Sequence, residues 1–435
     1  MGGGGIQMQE RLGRFIDPRR SAVPYLAALI IGLTIATYLQ HLLQYVNYNI
    51  PVIKGQSPFI WMSGLTALVA FLLWLPLPWR PAPGRWFRIF LGSMLLGWLV
   101  RTGLLFVHGD SFNYTLWLTP VVLIMISLKS PDSDDARSTM LVLGWSGSIL
   151  LLWTRLSEII ALIPMHEVSP GLLAFEIQEY WLPLAGWLGP EGRWPGPLGG
   201  TAYTGMLGAL LLVLAVSMKA KSSWAFAAIG IITLLLTSSR GSFAAAAAGI
   251  GIAIVFGNSH ILRKVPFGWR LTTAATGGLA TLILLLQASP NLTGRTTFWP
   301  DFIDLWLSSP LRGVGASGYA AGTEWTQTAG TAHSLYIDEL ARNGIVGFIS
   351  LLAALVAAFV LGLTAAKQGS GGPLALLTTL AVLGIANTPF SWTSPSFIWL
   401  FLLLSVAWAA CQRTDRFTSP TERDWQREAH FNGAA

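Results

Sequence analysis

The stretch from Thr293 to Gly347 is a long polar segment in a chain that is otherwise mostly apolar. It contains, in order, Thr293-Gly-Arg-Thr-Thr-Phe-Trp299, Pro310-Leu-Arg-Gly-Val-Gly315, Ala332-His-Ser334 and Glu339-Leu-Ala-Arg-Asn-Gly-Ile-Val-Gly347. Three arginines, several carboxylates and one histidine fall within it. The sequence before it has the character of a membrane scaffold, so we expect the scaffold to hold this segment at one face of a bilayer.

The composition is that of a membrane protein. Only 11% of the residues are charged and 20 are tryptophan, whereas a soluble domain carries about a quarter charged residues. Many apolar runs are long enough to cross hydrocarbon as helices. The formal charge of +7 does not indicate nucleic acid as a partner, because the basic residues alternate with the apolar runs and form no single patch. The single cysteine, Cys411, excludes a disulfide within the chain and a cysteine-based metal site.

Apolar runs predict an all-α, polytopic fold of about twelve transmembrane helices. The predicted domains are a cytosolic N-terminal tail (1–22), one transmembrane domain (23–411) and a cytosolic C-terminal tail (412–435). The predicted spans are 23–46, 58–78, 88–107, 112–128, 139–163, 201–218, 224–238, 241–257, 271–288, 344–366, 373–388 and 396–411.

Basic residues predict the orientation. Seven segments rich in lysine or arginine all fall on one side if the spans alternate as predicted, and that side is expected to be the cytoplasm. Both termini are then cytoplasmic, and two long loops, about 164–200 and 289–343, lie on the outer side. Long loops are more often functional than plain connections. These seven segments carry Arg11, Arg14, Arg19 and Arg20; Arg80, Arg85 and Arg88; Lys129 and Arg137; Lys219 and Lys221; Arg263, Lys264 and Arg270; Lys367; and Arg413, Arg416, Arg423 and Arg427.

Arginines on the predicted outer side run against the sidedness rule and are therefore candidates for function. Arginine offers planar, permanently charged donors for phosphate, so such a cluster would suit a diphosphate on a lipid carrier. The alternative is that each arginine binds lipid headgroups or a nearby carboxylate. The outer-side arginines are Arg193, Arg240, Arg295, Arg312 and Arg342.

His333 is the candidate general base. It lies where the polar segment returns to a helical pattern, and we expect it in the first turn of a helix, where the dipole favours the neutral imidazole. A lone histidine is more often a hydrogen-bonded structural residue. Neither His108 nor His166 has a partner at metal-ligand spacing, so the sequence predicts no zinc site and no metal cofactor.

Five motifs follow one another in a set order: Ser239-Arg240-Gly241, Gly294-Arg295 with Trp299, Pro310-Leu-Arg-Gly-Val-Gly315, His333-Ser334, and Glu339 with Asn343-Gly-Ile-Val-Gly347. Over about residues 190–350 they resemble the signature region of the O-antigen ligase and O-antigen polymerase (Wzy-type) superfamily. Gly192-Arg193-Trp-Pro-Gly196 is similar to an earlier motif of that family, although this chain has Gly199-Gly-Thr201 where the family often has Pro-Asn.

The resemblance implies a GT-C-type glycosyltransferase of the bacterial cytoplasmic (inner) membrane that needs no cofactor. Such enzymes move a glycan from polyprenyl (undecaprenyl) diphosphate onto an acceptor sugar hydroxyl at the outer face. The shared motifs do not separate a polymerase of surface polysaccharide from a ligase that uses lipid A-core or another acceptor; we favour the polymerase slightly.

The resemblance also implies roles for single residues. Arg240 and Arg295 would hold the diphosphate, with Arg312 or Arg193 assisting. His333 would take the proton from the attacking hydroxyl, and the expected reaction is a single displacement with inversion that needs no metal.

Several residues keep more than one interpretation. Asp338 or Glu339 could orient His333 or bind sugar, and Glu339 could instead pair with Arg342. Trp299 could contact sugar, or could anchor the loop in the headgroup layer. A transporter or flippase is the other class considered, but it predicts inverted halves with polar residues near mid-membrane, and the polar residues here collect outside.

Overall fold

The structure is a computed structural model. It describes residues 21–49, 58–79, 84–108, 118–159, 201–218, 223–237, 239–257, 262, 264–288, 295–322, 332–388 and 397–412. Every element within those ranges is a helix, which confirms the predicted all-α class. The helices are α1 (Val23–Asn49), α2 (Pro58–Trp74), α3 (Gly84–His108), α4 (Leu118–Leu128), α5 (Ser133–Ile159), α6 (Thr201–Ser217), α7 (Ser223–Thr237), α8 (Arg240–Phe256), α9 (Phe267–Ala288), α10 (Arg295–Ser308), α11 (Gly315–Gly322), α12 (Leu335–Lys367), α13 (Gly372–Ala386) and α14 (Phe397–Cys411).

Each predicted span coincides with one of these helices. By length and apolar composition, Gly84–His108, Asp134–Leu156 and Leu335–Lys367 can each cross a membrane. Shorter apolar helices account for eight further stretches of the described chain. The largest difference from prediction is at the tenth span, because α12 begins at Leu335 instead of residue 344. Two further helices, α10 and α11, lie within the predicted outer loop 289–343.

The centre of the bundle is α14. All fifteen of its residues are buried, and α1, α3, α5, α6, α12 and α13 pack around it. A helix that is apolar on every side is stable only when neighbouring helices or lipid surround it completely. The sequence Phe-Ile-Trp-Leu-Phe-Leu-Leu-Leu at 397–404 meets that condition by packing inside the protein.

One end of the bundle is joined by buried polar contacts. Ser21 Oγ donates to Asp135 Oδ1 at 2.6 Å, which ties the start of α1 to the start of α5. Lys129 Nζ donates to the Trp74 carbonyl at 2.9 Å, which ties the end of α4 to the end of α2. Cys411, the last residue of α14, donates through Sγ to the Pro131 carbonyl at 2.9 Å. Strict alternation of the predicted spans places these same helix ends on one side.

At the opposite end of the bundle, other helix ends are in contact, and alternation of the predicted spans places these ends on the predicted outer side. The Leu335 amide at the start of α12 donates to the Asn387 carbonyl, just after α13, at 3.0 Å. A Cβ on Gly315 at the start of α11 would lie 2.6 Å from the ring of His108, the last residue of α3. The functional candidates of the described chain lie at this end.

Candidate active site

The first part of α12, residues 335–343, is set off from the rest by a break at Gly344. Its φ of 62° and ψ of −165° belong to a region that is essentially restricted to glycine. The turn Pro310–Gly313 fills the gap. The amides of Ile345 and Val346 donate to the carbonyls of Pro310 and Leu311, at 2.9 and 3.3 Å. The turn therefore caps the new helix start, and residues 335–343 form a short arm above the main part of α12.

His333 lies outside this arm, and not within its first turn as predicted. Helix α12 begins at Leu335 with Ser334 as the extended N-cap residue. His333 has a φ of 49°, the one positive φ among the described residues that are not glycine. A backbone in this left-handed region cannot continue a right-handed helix, which is why the helix starts two residues later. Histidine is among the residues that adopt this conformation more often than others.

Ala332, immediately before His333, is held through both of its backbone polar groups. Its carbonyl accepts a hydrogen bond from Trp299 Nε1 at 2.9 Å. Its amide donates to the Tyr319 hydroxyl and to Asp338 Oδ1, each at 2.8 Å. Ala332 has no exposed surface. The backbone that carries His333 is thus fixed from α10, α11 and α12 at once, and the indole N–H of Trp299 is used for this contact.

Asp338 is the centre of that network. The Tyr319 hydroxyl donates to Oδ1, and the Thr388 hydroxyl, just beyond α13, donates to Oδ2. The Asp338 side chain is 4% exposed. Both carboxylate oxygens are therefore engaged by groups of the protein.

Tyr319 connects this carboxylate to a cation. The Arg342 guanidinium lies over the Tyr319 ring, 4.0 Å from its centroid. Burial and, after it, the negative charge of Asp338 raise the pKa of the Tyr319 hydroxyl, while Arg342 opposes that rise. The hydroxyl keeps its proton and acts as a donor towards Asp338.

An aromatic cluster lies beneath His333. The rings of Phe298 and His333 are 6.2 Å apart, edge to face, and the ring of Phe302 packs on that of Tyr319 at 5.2 Å. Phe298, Phe302, Tyr319 and Ala332 form one buried apolar cluster. The imidazole is half-buried, with this cluster on one side of it.

Arg240 is the first residue of α8 and is exposed. Ser239, the residue before it, is buried, and its hydroxyl lies 2.9 Å from that of Ser242. A Cβ on Gly205 would lie 2.7 Å from Ser239 Cβ, so the turn packs directly on α6. Tyr203, two residues earlier on α6, is close enough to Asp338 and Arg342 to interact with both charges. The start of α6 therefore links the Arg240 turn to the arm of α12.

The other predicted site residues are placed as follows. Arg295 is the first residue of α10, and Arg312 is exposed on the turn that fills the break in α12. Glu339 is buried, and its Oε1 accepts a hydrogen bond from Asn343 Nδ2, at i+4, over 2.8 Å. Arg193 lies outside the described residues.

Two residues of the network were not singled out from the sequence. Tyr319 is the one large side chain in the run Gly-Ala-Ser-Gly-Tyr-Ala-Ala-Gly (315–322), which was a usable signal. Thr388 follows the apolar run of α13 and gives no signal in the sequence. Among the residues that the structure describes, no group of three His, Cys, Asp or Glu side chains is arranged to hold a metal ion.

A separate groove of about 610 Å³ lies between α1 and α5. Its lining includes Ile31, Ile35, Trp145 and Ile149, with little polar surface. None of the candidate site residues contributes to it. We therefore place the candidate site at the α12 arm, where charged and polar side chains lie together, and not in this groove.

The described residues define a helical membrane protein with a cluster of polar side chains at one end, around a broken helix and a fixed histidine. Residues 225–352, which include the Arg240 turn, α10, α11, His333 and the α12 arm, match the family model described as O-antigen ligase. The predicted resemblance to the O-antigen ligase and O-antigen polymerase superfamily is thus confirmed over this segment. Comparison with curated proteins found no match.

Proposed function

We propose that the protein is an outer-face glycosyltransferase. It transfers a glycan from a polyprenyl-diphosphate carrier to an acceptor sugar hydroxyl, without a metal and with inversion. We favour a polymerase of surface-polysaccharide repeat units, with a ligase that uses lipid A-core or another non-carrier acceptor as the alternative. The observation that supports the proposal is that the segment matching the O-antigen ligase model contains His333, whose backbone is fixed, and Arg240 and Arg295, each at the start of a helix.

Arg240 and Arg295 have a common placement that suits an anion. Each is the first residue of a helix, α8 or α10. The first four amides of a helix lack helical partners, and the dipole places partial positive charge there. A guanidinium at such a position adds a full charge to a site that already favours phosphate.

The reaction needs this charge at the moment when the glycosidic bond breaks. The acceptor oxygen forms a bond to the anomeric carbon, and the bond from that carbon to the phosphate oxygen breaks. The diphosphate leaves with the electron pair, and the arginines stabilise the charge that develops on it. The proton of the acceptor hydroxyl passes to His333, whose contribution as a general base is on the order of 10²–10⁴ in rate.

The test uses purified protein in lipid with a polyprenyl-diphosphate oligosaccharide. Release of free polyprenyl diphosphate and formation of the glycan product are followed for the wild type, His333→Asn and His333→Gly. Longer lipid-linked glycans from the wild type alone would support the polymerase. Transfer only when a non-carrier acceptor is added would support the ligase. If the wild type consumes no donor with either kind of acceptor, the transferase proposal fails.

A further inference from the structure

We infer that Asp338 is the positioning residue of His333, and that it acts through the backbone of Ala332 and not through the imidazole. This inference rests on the proposed role of His333 as the base. The sequence leaves two roles open for Asp338, orientation of His333 and sugar binding. The inference assigns Asp338 the first role and excludes the second.

The first step is that Asp338 has no oxygen to offer a substrate. Its Oδ1 accepts hydrogen bonds from the Tyr319 hydroxyl and the Ala332 amide, and its Oδ2 accepts one from the Thr388 hydroxyl. Four per cent of its surface is exposed. A group that binds sugar or takes part in chemistry needs an accessible oxygen, and this carboxylate is occupied from three directions.

The second step is that the conformation of His333 needs support. The φ of 49° is costly for a residue with a Cβ and persists only where the surroundings determine it. The residue before His333 is fixed at its amide by Asp338 and Tyr319 and at its carbonyl by Trp299. Two residues after His333, the Leu335 amide is bonded to the Asn387 carbonyl. His333 is held between two anchored backbone positions.

The third step is that the Asp338 carboxylate holds the Ala332 amide more strongly than the Tyr319 hydroxyl does. A hydrogen bond from an amide to an ionised carboxylate is roughly twice as strong as one between neutral groups. Asp338 also orders Tyr319 and Thr388, which join α11 and the end of α13 to the arm of α12. Removing Asp338 leaves the Ala332 amide with the Tyr319 hydroxyl alone, and Tyr319 and Thr388 both lose the carboxylate that orders them. Removing the Tyr319 hydroxyl leaves the Asp338–Ala332 bond in place.

Four variants of the full chain in lipid test this inference. Asp338→Ala removes all three accepted bonds. Asp338→Asn keeps an acceptor for Ala332, and Thr388 can reverse its hydroxyl to suit the new amide. Tyr319→Phe deletes the hydroxyl and keeps the ring under Arg342. The control is Asp304→Asn, which removes an exposed carboxylate of α10.

The first measurement is hydrogen exchange at the Ala332 amide, which needs no substrate. We expect faster exchange in Asp338→Ala, a smaller increase in Tyr319→Phe, and wild-type exchange in Asp304→Asn. Unchanged exchange in Asp338→Ala would overturn the inference. If the wild type transfers no glycan, the proposed function fails, and this measurement still decides whether Asp338 holds the backbone.

The second measurement is glycan transfer. A displacement of about 1 Å costs on the order of 10²-fold in rate, so we expect kcat to fall by about 10- to 100-fold in Asp338→Ala. The KM for the acceptor should stay near that of the wild type, and Asp338→Asn should retain most of the rate.

In a His333→Gly background, Asp338→Ala should cost nothing further, because its effect passes through the histidine. An equal loss in both backgrounds would show that Asp338 acts on the substrate by itself, and would overturn the inference.

Discussion

The substitution Gly344→Ala, at the break in α12, tests the fold around the candidate site directly. A Cβ at residue 344 would lie 2.4 Å from the Leu311 carbonyl oxygen and 2.5 Å from the Gly313 nitrogen. Both atoms belong to the backbone of the docked turn, so no change of side-chain rotamer relieves the contact. The φ of 62° adds strain for any residue other than glycine.

The loss of stability follows from the hydrogen bonds that break when the turn moves away from α12. Three backbone hydrogen bonds hold it: Ile345 to Pro310, Val346 to Leu311, and Val314 to Ala341. At about 1 kcal/mol for each of these three bonds, their loss costs about 3 kcal/mol, and we expect Gly344→Ala to destabilise the fold by about that amount.

Thermal unfolding in detergent, followed by tryptophan fluorescence, measures this loss. The matched control is Gly251→Ala on α8, where an added Cβ meets no atom within 4 Å. That variant should be neutral or slightly more stable, because alanine favours the helix by up to about 1 kcal/mol. If Gly344→Ala unfolds at the same temperature as Gly251→Ala, the docked turn does not exist as described.

Four further predictions concern the site. Arg240→Ala should lower the rate of glycan transfer by about 10²–10³-fold, the usual cost of losing one preplaced donor. Lys367→Ala, at the other end of α12, should change that rate little. Loss of transfer in Lys367→Ala would count against the predicted sidedness. His333→Gly should lower transfer by about 10²–10⁴-fold but leave the melting temperature equal to or above that of the wild type, because glycine tolerates positive φ. A large drop in melting temperature would show that the side chain is structural. Because the pKa of Tyr319 is raised in the folded state, the stability that the Tyr319 hydroxyl contributes is complete below the ordinary tyrosine pKa of about 10 and is lost as pH rises above it. Above that pH, the melting temperature should therefore fall by less in Tyr319→Phe than in the wild type. Equal falls in the two proteins would contradict the raised pKa. EDTA should leave transfer unchanged, and inhibition that added divalent metal reverses would end the metal-free mechanism.

The helices themselves can be predicted because the signal for them is local. Apolar runs of sufficient length predict the position of the helix found at each predicted span, and boundary residues mark some of the helix ends. Pro373 is the second residue of α13, and a proline in the first turn is a usual mark of a helix start. The predicted span 373–388 accordingly lies close to the observed helix, Gly372–Ala386.

The predicted start of α12 is too late for a physical reason. Residues 335–343 carry Asp338, Glu339 and Arg342, so their pattern is that of a polar loop. They are helical because the bundle satisfies those side chains: Asp338 bonds Tyr319 and Thr388, and Glu339 bonds Asn343. Hydropathy along the sequence does not reveal these partners.

The candidate residues can be predicted by type, but not their arrangement. A histidine and several arginines in a polar segment can be recognised from sequence, whereas the bond from Trp299 to Ala332 joins residues 33 positions apart. The positive φ of His333 arises from such contacts, and nothing in the letters Ala-His-Ser indicates it. Roles that depend on tertiary packing, such as that of Tyr319, therefore needed the structure.

Helix α13 relates the proposed base to the proposed diphosphate site. Just beyond its end, Thr388 bonds Asp338 and the Asn387 carbonyl accepts the Leu335 amide, so α13 anchors the arm next to His333. The same helix packs along α8, whose first residue is Arg240. Sites carried on packed helices hold their geometry better than sites carried on loops. The packing of α8 on α13 therefore helps to fix the separation between His333 and Arg240.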